Sequence, residues 1–212
     1  MNKNKKNKIA IIGQSQKFIT GVKKNYKNSK INIIPWRQVE FYIKKRVDIY
    51  NMIFVCGFDF SIYTKDYIFF EKKNIFLILQ LLRKISNQKT KIIYINTQIK
   101  GKIDYTYSRY KYAKQKLAYL ISKEFKKSVI FNADLIKEGN TISINSNFFS
   151  KFLFYFFSKF NLIKTIDIKV IFIKIDDMIN RNKFIRQKNI KGYFLKIPRT
   201  QLIDRVLYLI IK

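Results

Sequence analysis

Residues 91–120 read KIIYINTQIKGKIDYTYSRYKYAKQKLAYL. Lys91–Ile95 is apolar and β-branched, which predicts a buried strand. Tyr110–Phe125 carries Leu117, Leu120 and Ile121 on one side, which predicts an amphipathic helix. The same alternation continues toward the N-terminus. Ile9–Ile12 is a short apolar run closed by Gly13, Phe18–Tyr26 fits a helix, and Ile31–Ile34 is a second strand stopped by Pro35. Val39–Lys45 fits a short helix, and Tyr50–Cys56 is a third strand closed by Gly57. Asp66–Ile85 has a helical stripe at Ile75, Leu79, Leu82 and Ile85, and Val129–Phe131 is a further strand. Strands that alternate with helices imply right-handed crossovers and a mostly parallel, doubly wound α/β sheet.

Beyond that point the pattern weakens. Ile166–Ile175 and Phe194–Ile197 read as strands, and Gln201–Ile211 reads as a closing helix. Asp176 and Asp177 read as caps at a helix start. The run FFSKFLFYFFSKF, residues 148–160, reads first as a buried helix and second as a surface for a membrane or a partner subunit. The organisation expected is a core over residues 8–140 and a small C-terminal substrate or interaction region over 141–212.

With 212 residues and 48% hydrophobic content, the chain can bury one real core. Lys and Arg number 44 against 13 acidic residues, a net charge of +31. Such a surface suits a nucleic-acid or other polyanion partner. The enriched residues are also those with A- and T-rich codons, so mutational drift explains the same bias, and the lysines are spread rather than blocked. Histidine is absent, which removes imidazole bases and histidine metal sites. The single cysteine, Cys56, excludes an internal disulfide and suits a reducing, cytoplasmic setting. No uncharged apolar stretch of membrane-spanning length is present.

The segment 107–120 contains the spacing YxxxK at Tyr110/Lys114 and at Tyr107/Lys111. The first pair has Ala113 before its lysine, and a strand ending in Thr97 precedes it. YNMIFVCG precedes that strand, followed by Asn74 and the leucine-rich NIFLILQLL; SVIFNADLIKEGN comes after the helix. In this order, the features over about residues 8–140 resemble the short-chain dehydrogenase and nucleotide-sugar epimerase superfamily.

The resemblance implies a Rossmann-like core and an NADP- or NAD-dependent oxidoreductase, epimerase or dehydratase. Its substrate would be a nucleotide-linked sugar, as in polysaccharide assembly, and a homodimer or assembly partner is compatible with it. It implies Tyr110 as acid/base, Lys114 as ribose and pKa partner, and Thr97 as a hydrogen-bond donor to the reacting oxygen. Residues four apart share a helix face, so the lysine can act on the phenol. The nucleotide loop would use Gly13, Gln14, Ser15, Lys17, Phe18 and Ile19, with Cys56 and Gly57 at the end of the third strand. The loop, GQSQKFITG, keeps the first glycine, lacks the second and third, and has Gly21 too late to serve as either. After the second strand the family's acid is replaced by Trp36 and Arg37, and Arg37 suits the 2′-phosphate of NADP. Two other readings of the same chain are a degenerate Rossmann-fold subunit for binding or assembly, and a basic ribonucleoprotein component.

Overall fold

The computed structural model describes residues 7–13, 15–58, 67–97, 105–133, 135–138, 141–142, 152, 156, 165–180 and 187–190. Five predicted strands form: β1 (Lys8–Ile12), β2 (Lys30–Ile34), β3 (Met52–Cys56), β4 (Lys91–Thr97) and β5 (Ser128–Ala133). Two short strands, β6 (Leu135–Glu138) and β7 (Thr141–Ile142), follow, then β8 (Thr165–Asp167) and β9 (Gln187–Ile190). The main sheet has the order β2-β1-β3-β4-β5-β9, and every neighbouring pair in it is parallel. A small second sheet has the order β7-β6-β8.

The helices are α1 (Gln16–Asn25), α2 (Val39–Lys44), α3 (Tyr67–Glu71), α4 (Leu77–Ile85), α5 (Tyr105–Glu124) and α6 (Ile168–Asn180). A 3-10 turn, Trp36–Gln38, leads into α2, and a π-helical turn, Lys72–Phe76, joins α3 to α4.

Alternation along the strands sorts side chains onto two faces. Ala10, Ile12, Ile34, Ile53, Val55 and Tyr94 pack with Ile78 and Leu82 of α4 and Leu117 and Ile121 of α5. Ile9, Ile11, Phe54, Ile93 and Phe131 pack with Phe18 and Val22 of α1 and Ile171 and Phe172 of α6. All five residues of β3 are buried, because helices cover both its faces. The chain is thus a doubly wound parallel α/β sheet, as the alternation of runs predicts.

The segment 166–175 departs from its expected strand. Only Thr165–Asp167 is extended, and the rest is α6. The buried residues Ile168, Ile171, Phe172, Ile175 and Met178 recur at three and four, a helical stripe that the β-branched composition disguised. Asp167, not Asp176 or Asp177, caps the helix: its Oδ1 accepts from the Lys169 N–H at 2.8 Å. Asp176 lies inside α6 and accepts a 2.7 Å hydrogen bond from the Tyr26 hydroxyl, tying α6 to the end of α1. Of the aromatic run 148–160 only Phe152 and Phe156 are among the described residues; both are helical and exposed, and the rest of the expected helix lies outside them. The strand and helix expected over 194–197 and 201–211 lie outside the described residues.

Gly21, without a place in the nucleotide loop, has a packing role. A Cβ there would lie 2.4 Å from Cε2 of Phe172, whose ring is held in the α1–α6 core. Gly21→Ala gains about 1 kcal/mol of helix propensity and meets an overpacking cost of about 1–3 kcal/mol. The expected result in urea unfolding is a net loss of roughly 1 kcal/mol; a stabilised variant contradicts this packing.

Candidate functional site

The strand order changes direction between β1 and β3, the point where open α/β sheets form a crevice at their carboxyl ends. β1 runs there into Gly13, whose N–H donates to Ile34 O at 3.0 Å. Gly13 has φ +141°, and a Cβ on it would stand 1.6 Å from the Cys56 carbonyl oxygen. Only glycine admits this approach of β1 to β3. Gly57, with φ +129°, faces it across the same gap: its own Cβ would lie 3.6 Å from Gly13 Cα.

From this corner α1 departs, with its first turn at the carboxyl end of the sheet. Ser15 is the N-cap, its Oγ accepting from Phe18 N at 3.5 Å. Such a helix start favours an anion, because its N–H groups and dipole point outward. Phe18 and Ile19 are turned into the core, Phe18 against Phe54 and Phe172 at ring-centroid distances of 5.7 and 5.3 Å. These two residues therefore offer a ligand only their main chain. Gln14 and the Lys17 side chain lie outside the described residues.

Beyond β2, Trp36 is buried, tilted against Phe58 at 5.7 Å, and Arg37 beside it is exposed on the 3-10 turn. The turn thus holds Arg37 at the same end of the sheet as Gly13.

The second wall comes from β4 and α5. Lys114 is only 7% exposed. Burial pushes its ammonium down to about 8, against a smaller upward pull from Cys56. Burial likewise pushes the Cys56 thiol up to about 12, opposed by Lys114. Each group lies within the other's electrostatic reach, so α5 delivers Lys114 toward the end of β3. Cys56 is a neutral thiol near pH 7 and serves as a packing group there. Tyr94 of β4 is fully buried, and its hydroxyl donates to the Lys114 carbonyl at 3.4 Å, fixing α5 on the sheet.

Thr97 ends β4, opposite Ala133 of β5. Its side chain, and those of Tyr107, Tyr110 and Lys111, lie outside the described residues. The α5 backbone spans the Tyr107/Lys111 and Tyr110/Lys114 pairs. At 100° per residue, position 110 falls about 40° from Lys114, in the arc of the buried Ala113, Leu117 and Ile121. Position 111 falls about 60° to the other side of Lys114, outside that arc.

Sequence reasoning missed several neighbours of the site. Asn96 Nδ2 donates to Asn132 Oδ1 at 2.9 Å across β4 and β5, while Asn96 Oδ1 is buried without a hydrogen-bond partner. Asn74 is fully buried inside the π-helical turn, a geometry frequent at functional sites. No local sequence signal marks a π turn, although the asparagine at the head of NIFLILQLL was visible.

No family model matches the sequence, and no curated protein matches it. Solved structures do. The protein RMD of Pseudomonas aeruginosa, complexed with NADPH, is 9% identical with a TM-score of 0.59, over 88% of this chain and 76% of that one. A dTDP-4-dehydrorhamnose reductase of Clostridium acetobutylicum is 14% identical with a TM-score of 0.57, over 87% of this chain and 74% of that one. A dTDP-glucose 4,6-dehydratase of Bacillus anthracis, in complex with NAD, is 12% identical with a TM-score of 0.57, over 96% and 81%. At these identities the likeness is one of fold: the chain is built on the Rossmann-type α/β sheet of these proteins.

Proposed function

We propose that the chain is an NAD(P)-dependent reductase, epimerase or dehydratase acting on a nucleotide-linked sugar. One observation carries the reading: the lysine of YxxxK is buried at the carboxyl ends of the strands, with a lowered pKa, beside the corner formed by Gly13, Cys56 and Gly57. A solvated Tyr/Lys-rich helix face would leave that lysine in water.

The residues present fit a dinucleotide in three places. The start of α1 and the Gly13 corner suit the pyrophosphate, Arg37 suits a 2′-phosphate, and Lys114 suits the nicotinamide ribose. A bound nicotinamide would supply or accept the hydride. Tyr110 would exchange the proton at the sugar oxygen, with Thr97 hydrogen-bonded to that oxygen. The Lys114 ammonium would lower the phenol pKa from its ordinary value of about 10. The neighbours in fold support the substrate class, since two are enzymes of dTDP-linked sugars.

The experiment is turnover of nicotinamide absorbance with dTDP-linked keto-sugars as substrates. Consumption of NADPH that depends on the sugar nucleotide is the expected result. Arg37→Ala should then abolish a preference for NADPH over NADH. Cofactor binding without turnover on any sugar nucleotide would favour the degenerate binding subunit instead.

A further inference from the structure

A cleft lies at the other end of the sheet, away from the crevice and independent of the function proposed above. The amino-terminal ends of β1, β2 and β3 enclose a cleft of about 260 Å³ lined by Lys8, Lys30, Ile31, Asn32, Asp48 and Tyr50. Lys8 and Lys30 are direct partners in the β1–β2 register. Lys8 pairs with Asp48 at 3.0 Å and, through that hydrogen bond, holds the carboxyl below its ordinary pKa. Lys30 brings a second positive charge, so the lining is net cationic.

The neutral donors point the same way. Tyr50 is 5% exposed, and its hydroxyl oxygen accepts from Asn32 Nδ2 at 2.6 Å. An oxygen that accepts from an amide directs its own hydrogen elsewhere, and the Asn32 amide keeps a second N–H. Burial raises the Tyr50 pKa, so the phenol stays a donor at physiological pH. Backbone donors at the rim are already used: Lys8 N–H by Asn51 Oδ1 and Lys30 N–H by Asn7 O, both at 2.8 Å. The cleft therefore offers the Tyr50 O–H, the Asn32 N–H and the Lys30 ammonium, while its one carboxylate is occupied by Lys8. Lysines act as compact point charges, which suits a small tetrahedral anion more than a planar one.

We propose that this cleft binds a phosphate-class oxyanion, either inorganic phosphate or the phosphate of a small ester. The site is built by pairs distant in sequence, Lys8 with Asp48 and Asn32 with Tyr50, so an anion there would bind the folded state only.

The test is thermal unfolding against inorganic phosphate, and in parallel against a sugar phosphate, with chloride adjusted to hold ionic strength constant. Ligands that bind only the native state raise its melting temperature in a saturable way. The native protein and the charge-matched control Lys123→Gln should show the same saturable rise. The double variant Tyr50→Phe/Lys30→Gln should need at least tenfold more ligand. Tyr50→Phe alone keeps the buried ring, removes only the hydroxyl, and should need several-fold more. The tighter of the two ligands identifies the source of the phosphate. Equal or non-saturating responses in all four proteins would mean an adventitious ion only, screening the +31 charge, and would overturn the proposal.

Discussion

Replacing Lys114 by Met should make the protein more stable at neutral pH and inactive. A buried ammonium costs stability. Moving a lysine from its ordinary value of about 10.4 to about 8 corresponds to roughly 3 kcal/mol of unfavourable charge burial. That cost is fully present below pH 8. It fades as pH rises from about 8 to about 10.4, because the unfolded chain then holds the proton that the folded lysine has lost. Cys56 acts in the opposite direction above pH 8.5, since its thiol stays protonated in the folded state. The native-minus-variant difference at each pH reads the lysine together with its coupling to Cys56. Lys114→Met, similar in length and apolar, should unfold at higher urea by roughly 2–3 kcal/mol at pH 7. The advantage should shrink toward pH 10. Turnover should fall by about 10²–10⁴-fold. Tyr110→Phe should lose turnover similarly, with nucleotide affinity nearly unchanged. A Lys114→Met variant less stable than native at pH 7 would mean that the interactions of the ammonium outweigh the cost of burying it.

Gly13→Ala should be the most destabilising single methyl on this chain's site corner. Its Cβ would overlap a backbone carbonyl, Cys56 O, at 1.6 Å, and the backbone conformation there, φ +141°, is one that alanine resists. Strain of about 1–3 kcal/mol adds to an overpacking cost of about 1–3 kcal/mol. Because the clash is with main chain, β1 and β3 must part at the crevice. The expected loss in urea unfolding is about 3 kcal/mol or more, a large share of a total of about 5–15 kcal/mol, and nucleotide affinity should go with it. Stability within about 0.5 kcal/mol of native, the range of an ordinary surface change, would contradict the packing of Gly13 on β3.

The sheet was legible because parallel strands buried on both faces leave continuous apolar runs. Ile9–Ile12, Tyr50–Cys56 and Lys91–Ile95 each read that way without help from their neighbours. Lys114 was legible because a lysine four residues after Tyr110, on a helix that follows a strand ending in Thr97, is a positional signal. Ile166–Ile175 misled because isoleucine and valine suit strands, and only the three-and-four spacing of the core residues betrays α6. Gly21 was read against the nucleotide loop, whereas its reason is Phe172, 151 residues away. The Asn96–Asn132 pair, the burial of Trp36 and the anion cleft depend on strand neighbours, which local sequence does not encode.

The function proposed here requires that the crevice at Gly13, Cys56 and Lys114 hold a nicotinamide dinucleotide. Titration of the native protein with NADPH and NADH, followed by nucleotide fluorescence, tests it directly. Saturable binding is expected, tighter for NADPH than for NADH and weakened in Gly13→Ala. Absence of binding to either nucleotide at millimolar concentration would contradict it.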